Sequence, residues 1–380
     1  MNMSAENGGP VISVGEAGVV ETRSYDRVYL TQEDVTSDFS SFLTAWENVL
    51  HQTGVEAEKV LSNPRRFVLR SVITQEVLRE LLLNQLPGSP NIEALLPMEQ
   101  VDGEATNYLV IVAQNQHADE ISDDESARLR ALGNISQSRV EQPARTLTET
   151  IQTLPEGYTL TTSVTPADYP DLLDLWQENF EWGLSGIEAF ANQVAAGTQW
   201  FCGVRDQDGR LVAASMAEGM VFASRRYIEL TEWAANTRGV ASKMVIGLIA
   251  QVLDAVYYGS LTAQQRVNNM PILPAEMNLY HREPGNFGSP GAGSSAGLRI
   301  PNVGNNRSLS IQYNALRHNV LVGTGRLDHP EAQQGTAPPE NYNNFAYGIL
   351  PYAIMETMYD ERAVQELLEY MQLHDRANAY

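Results

Sequence analysis

The chain has 380 residues, 43% of them hydrophobic and 19% charged, with a formal net charge of -22. That length allows two ordinary domains, or one large domain with an appendage, and the composition is that of a globular protein with a sizeable core. So acidic a chain repels phosphate backbones and anionic lipid, which excludes nucleic acid and membrane surfaces as default partners. A cationic amine is compatible with it, and in its plainest reading the acidity maintains solubility.

Residues 1–24 are polar and Gly-rich, without periodicity, and read as a flexible tail. Residues 25–150 read as a mainly helical region. Asp38 to Leu50 carries Phe39, Phe42, Leu43, Trp46, Val49 and Leu50 at helical spacing. Thr74 to Leu86 carries Val77, Leu78, Leu81, Leu82 and Leu86 in the same way, and Pro87-Gly88-Ser89-Pro90 stops it. Asn91 to Met98 is expected to form a short third helix. Tyr108 to Ala113 is a β-prone run that reads as a buried strand. His117 to Arg145 is polar and acidic, and Asn134 to Thr150 reads as a linker. No chemistry is visible in this region.

From Tyr158 the pattern changes. Tyr158 to Val164 is a strand, and Thr165-Pro166-Ala167-Asp168 opens a helix with a Thr cap, Pro at the first position and an acid three residues on. Leu172, Leu173, Leu175 and Trp176 line its buried side. Thr198 to Arg205 and Leu211 to Phe222 are strands joined by the turn Asp206 to Gly209. Tyr227 to Ala235 is another strand, followed by a helix with Val240, Met244, Val245, Leu248, Val252 and Val256 on one face. The order gives an α+β or mixed α/β domain. Further strands are expected over Glu276–Arg282 and after Asn341–Tyr347. An amphipathic C-terminal helix is expected within residues 353–380, through Val364, Leu367, Leu368 and Met371.

The segment Arg226 to Lys243 is the most informative. A strand runs into a helix through a short turn containing Gly239 and Ala241, small residues that let backbone N–H groups approach a ligand. A helix N-terminus carries unpaired donors and about half a positive charge, and so suits phosphate or pyrophosphate. Arg238 and Lys243 strengthen that field. An ordinary tight turn would carry the same glycine.

This stretch resembles the acyl-coenzyme A signature of the GNAT superfamily, in which Gln/Arg-x-x-Gly-x-Gly/Ala joins the fourth strand to a helix. Here it reads Asn236-Thr237-Arg238-Gly239-Val240-Ala241, with Asn in place of the usual Gln or Arg. The resemblance implies a GNAT-like mixed central sheet flanked by helices over residues 156–352, with acetyl-CoA or another acyl-CoA as co-substrate. It implies that Asn236 and Arg238 to Lys243 (Arg238, Gly239, Val240, Ala241, Ser242, Lys243) hold the pyrophosphate. Main-chain groups of Trp233, Ala234 and Ala235 would pair with the pantetheine arm. Ile228 to Ala234 is also similar to the matching strand of β-lysine acetyltransferases, which implies an amino-acid or diamine acceptor. Asn306 to Tyr313 is similar to the family's later helix, where the Asn contacts the cofactor and the Tyr protonates the departing thiolate. A helix cap at Asn306 and a packed residue at Tyr313 are the plainer alternatives.

Transfer to an amine needs a base for its proton. Glu229 and Glu232 are the candidates, Glu229 the preferred one, and strict alternation would put them on opposite faces, with at least one a surface carboxylate. The resulting expectation is direct acyl transfer to a primary amine of a small molecule or peptide. The alternatives are a catalytically inactive GNAT-fold interaction protein and a tandem-GNAT acyl or aminoacyl transferase. The six histidines show no zinc spacing, and the lone Cys202 sits in a strand run and permits no intrachain disulfide. With no basic n-region before the first apolar run and no apolar stretch of about 20 residues, a cytoplasmic protein is expected.

Overall fold

Short apolar-rich runs build strands in both halves of the chain. The computed structural model describes residues 12–14, 19–24, 27–32, 34–57, 66–84, 86–88, 90–101, 104–114, 147–180, 182–222, 225–266, 274–278, 292–293, 295–298, 345–350 and 352–377. They form two six-stranded sheets.

In the first sheet, β1 (Ile12–Val14), β2 (Val19–Ser24) and β3 (Arg27–Gln32) make an antiparallel meander. Helix α1 (Phe39–Ala57) crosses over to β4 (Arg66–Thr74), which pairs parallel to β3. Helix α2 (Gln75–Leu83) leads to the hairpin β5 (Pro90–Val101) and β6 (Glu104–Gln114), with β6 inserted between β4 and β5. This region is therefore a mixed sheet carrying two helices, which corrects the expectation of a mainly helical one. Residues 12–14 and 19–24 lie in strands, which corrects the tail expectation for them. Asn91 to Met98, expected as a helix, lies in β5. Helical spacing there is overridden by a ladder to β6 (Ile92 opposite Val112, Leu95 opposite Val110), and an edge strand tolerates Pro97 where a helix interior would not.

The stripe of Phe42, Trp46 and Val49 on α1, with Val77 and Leu81 of α2, packs on Val28, Leu30, Leu69, Ile73, Val110 and Val112. The indole of Trp46 donates to the Pro87 carbonyl at 2.9 Å, anchoring the turn that ends α2. The other side of the sheet is buried as well, through Tyr29, Val68, Val72, Leu109 and Ile111.

The second sheet follows the expected order closely. After α3 (Leu147–Ile151) come β7 (Thr159–Thr161), a 3-10 turn at Pro166–Asp168, α4 (Tyr169–Phe180), α5 (Leu184–Ala195), β8 (Gln199–Arg205), β9 (Leu211–Phe222) and β10 (Arg225–Ala235). Then come α6 (Ala241–Val252) with a π-helical continuation through Tyr258, β11 (Pro274–Asn278), β12 (Phe345–Ile349), α7 (Tyr352–Thr357) and α8 (Glu361–Ala377). The strand order is β12-β11-β10-β9-β8-β7, antiparallel except for β10 with β11.

The Thr165 cap forms as its sequence predicts. Its N–H donates to Asp168 Oδ2 at 2.7 Å, and Asp168 also pairs with Arg205. Burial would raise the Asp168 pKa, but the bonds from Arg205 and Thr165 hold it below the ordinary range.

Helix α6 is buried almost all round, through Met244, Val245, Ile246, Leu248, Ile249 and Val252. Ala241–Tyr258 is long and apolar enough to cross a membrane by length and composition, and its place at the centre of this core accounts for that apolarity. At Gly247 it lies so close to β8 that a Cβ would stand 2.7 Å from Cys202 Sγ. Val364, Leu367 and Met371 of α8 share the same core, so the C-terminal helix closes this half.

The two halves share a plan. A strand hairpin (β2–β3, β9–β10) feeds a helix (α1, α6), which returns to a parallel strand (β4, β11) flanked by an antiparallel one (β6, β12).

Candidate functional site

The site is built where β10 leaves its neighbours. On the β9 side, Thr231 faces Met216 but Ala234 faces Ala214, so β10 spends one extra residue in a bulge. Glu232 lies in that bulge with φ 55°, a positive value at a non-glycine residue. Its carbonyl is fixed from behind by the indole N–H of Trp176 on α4, at 3.0 Å. On the β11 side the recorded pairing is Leu230 with Ala275, while β10 runs on to Ala235. Among the described residues, β10 has no ladder partner on β11 beyond Leu230. Main chain of Thr231 to Ala235 lies along that stretch, the geometry in which an extended amide-containing ligand can pair as a strand would.

Asn236 N–H still bonds the Val212 carbonyl at 2.9 Å, and the chain then turns through Arg238 and Gly239 into α6. Gly239 has φ 83°, which its lack of a side chain permits, and no atom lies within 4 Å of where a Cβ would stand. The cap position of α6 is Val240, and no side chain caps the helix. Lys243 and Met244 N–H both bond the Val240 carbonyl, so the amides preceding them face outward from the start of a 12-residue helix. Arg238 and Gly239 are exposed, while Ala241, Ser242 and Lys243 are half-buried. The arrangement can hold an anion at the turn and an amide chain along the strand end.

Trp233, Ala234 and Ala235 end β10, Asn236, Arg238, Gly239 and Val240 form the turn, and Ala241, Ser242 and Lys243 begin α6. Asn306 and Tyr313 lie outside the described residues.

The carboxylates differ from expectation. Glu229 and Glu232 are both buried, at 3% and 8% exposure, so neither is a surface group, and the bulge removes Glu232 from regular alternation. Glu229 Oε2 lies 3.1 Å from a guanidinium nitrogen of Arg70 on β4 of the first sheet. Arg70 is itself buried, with its guanidinium carbon 3.5 Å from the centroid of the Tyr29 ring. The first region therefore supplies the side chain that pairs with Glu229 of β10.

Directly opposite Glu229 on β9 stands Glu218, and opposite Glu218 on β8 stands Gln199. Burial first, and then the charge of Glu229, push the Glu218 carboxyl up to about 7, against the opposing pull of Arg70. Sequence reasoning passed over Glu218 and Arg70. The available signal was a lone charge inside an apolar strand run, Ala217-Glu218-Gly219 and Leu69-Arg70-Ser71. Among the described residues, no group of three or more His, Cys, Asp or Glu side chains is placed to hold a metal ion.

No protein-family model matches the chain. No curated protein matches it. Among solved structures the chain is similar to an acetyltransferase of Trypanosoma brucei, at 12% identity over 25% of this chain and 74% of that one, with a TM-score of 0.22. It is similar to glucosamine-6-phosphate N-acetyltransferase from Arabidopsis thaliana, at 10% identity over 26% and 76%, with a TM-score of 0.23. It is also similar to spermidine N-acetyltransferase from Vibrio cholerae, solved in complex with CoA and spermine, at 12% identity over 32% and 72%, with a TM-score of 0.22. These neighbours are acetyltransferases that match a quarter to a third of the chain.

Proposed function

We propose that the second half of the chain is a GNAT-like domain that transfers an acyl group, acetyl in the first instance, directly from acyl-CoA to a primary amine of a small molecule or peptide. The observation that carries this reading is the coincidence of two features in one element. Among the described residues, strand β10 has no ladder partner on β11 beyond Leu230, and the next helix begins uncapped at Val240. In this reading, the pyrophosphate is held by amides from Arg238 to Ser242, with the charges of Arg238 and Lys243 alongside. Main chain of Trp233, Ala234 and Ala235 pairs with the pantetheine arm, with Asn236 at the mouth. A carboxylate of the buried group on β9 and β10 takes the amine proton. Asn306 and Tyr313 are assigned cofactor contact and thiolate protonation by the family resemblance of their motif. The net charge of -22 suits a cationic acceptor, an amino acid or diamine among them, and the cytoplasm is the assigned compartment.

One observation favours a tandem form of this reading. The first sheet repeats the plan of the second, as expected if the two halves are copies of one unit.

Titration calorimetry with acetyl-CoA on wild type, Gly239→Glu and Gly239→Asn tests the proposal. Asn tolerates a positive φ and adds no charge, so it should bind within several-fold of wild type. Glu places a carboxylate where the pyrophosphate would lie and should abolish saturable binding. Absence of binding by wild type to acetyl-CoA and to longer acyl-CoAs overturns the reading.

A further inference from the structure

We infer that the first sheet contributes Arg70 to the site as a positioning residue, and that Glu218, rather than Glu229, takes the proton of the attacking amine. This inference rests on the acyl-transfer reading above.

Glu218 and Glu229 are directly paired across β9 and β10, so their side chains leave the same face of the sheet as close neighbours. The two are not equivalent. Glu229 is 3% exposed and bound to Arg70 at 3.1 Å, and Arg70 is itself held against the Tyr29 ring. The Glu229 carboxylate is thus engaged by the guanidinium buried beside it, and each charge offsets the cost of burying the other. Glu218 is less deeply buried than Glu229 and has no ion pair of its own among the described residues. The charges that act on it are Glu229 and Arg70, one pushing its pKa up and one pulling it down. Burial, the largest influence, together with these two charges leaves Glu218 near 7, where an acceptor is present as carboxylate yet basic enough to take a proton from an ammonium group.

The step balances. An N–H bond of the ammonium group breaks as an O–H bond forms on Glu218. The freed nitrogen pair then bonds the thioester carbonyl carbon; as the tetrahedral carbon collapses, the C–S electron pair leaves with sulfur, which takes up the nitrogen's remaining extra proton and departs as the thiol, so that a neutral amide is left. Glu218 returns its proton to water.

The test is the pH profile of kcat/KM for acetyl-CoA and an amine turned over by the intact chain, on wild type and three variants. Glu218→Gln should lower kcat by about 100-fold or more, with KM little changed, and should remove the acidic limb. Glu229→Gln removes a repelling charge and should move the limb down by about one unit, while Arg70→Gln should move it up by a similar amount. Should Arg70→Gln not fold, the near-isosteric Glu229→Gln still gives the decisive direction. A Glu218→Gln variant that keeps the limb and at least half the rate overturns the inference, as does loss of the limb in Glu229→Gln. Either result with turnover present leaves the acyl-transfer reading standing. No turnover by wild type at any pH overturns both.

Discussion

The β3–α1–β4 and β10–α6–β11 units have the same topology and opposite endings. In the first, five pairs from Arg27–Arg66 to Thr31–Arg70 hold the parallel strands together, and Thr36 then bridges to Ile73 beyond the end of β3. Its N–H donates to the Val72 carbonyl at 2.7 Å, and its hydroxyl lies 3.1 Å from that of Ser71. The helix that follows is capped from within. Asp38 accepts from the Ser41 N–H and hydroxyl at 2.8 Å each, and these bonds hold its carboxyl below the ordinary range. The second unit has no ladder pair beyond Leu230 among the described residues and no side-chain cap. One crossover has thus spent its anion site on its own aspartate and closed its cleft, while the other leaves both open. Topology alone does not make a site; the local residues at the strand end decide.

The largest expected effect asks whether the two units are independent. Arg70→Met strands the Glu229 charge and should cost about 3–5 kcal/mol, whereas Arg70→Met with Glu229→Leu should recover most of it. Denaturant melts of the two single variants and the double variant measure this, and additive losses would show that the sheets do not communicate through this pair.

Next is the pH dependence of stability. The Glu218 pKa is raised from 4.5 to about 7 in the folded state, so its carboxyl is protonated in the native chain and ionised in the unfolded one between those values. Its stabilising contribution is full below 4.5 and lost as pH rises through 7, at most about 3 kcal/mol. Glu218→Gln should flatten that decline. Asp168, held below its ordinary value, acts the other way, contributing at neutral pH and losing its effect only in acid.

The smallest effect contrasts the two crossover helices. Gly54 in α1 has nothing within 4 Å of its absent Cβ, and Gly54→Ala should stabilise by about 0.5–1 kcal/mol through helix propensity. Gly247→Ala in α6 meets Cys202 Sγ and should cost about 1–3 kcal/mol. Equal shifts in thermal melts would mean that α6 sits no closer to its sheet than α1 does.

Much of the second half was legible beforehand. Leu211–Phe222 matches β9 residue for residue, and the Thr165 cap, the Asp206–Gly209 turn and the Gly239 turn lie where local chemistry put them. These are short-range signals, in which a residue's own φ preference or a bond three positions away sets the conformation. The first half was legible only in α1, α2 and β6. Segments such as Phe67–Ile73 are continuous apolar runs around a single charge, without a period of their own.

The sequence by itself determined the periodic helices, the strand-to-helix turn and the small residues through which a phosphate could be approached, because each depends on neighbours along the chain. Only the tertiary structure decided that β5 is a strand and that Glu232 occupies a bulge. It also decided that Arg70 meets Glu229, and that Glu218 is held near neutrality beside them. Those outcomes depend on ladder partners, burial and charges from distant segments, whose energies exceed local preference and appear in no window of the sequence.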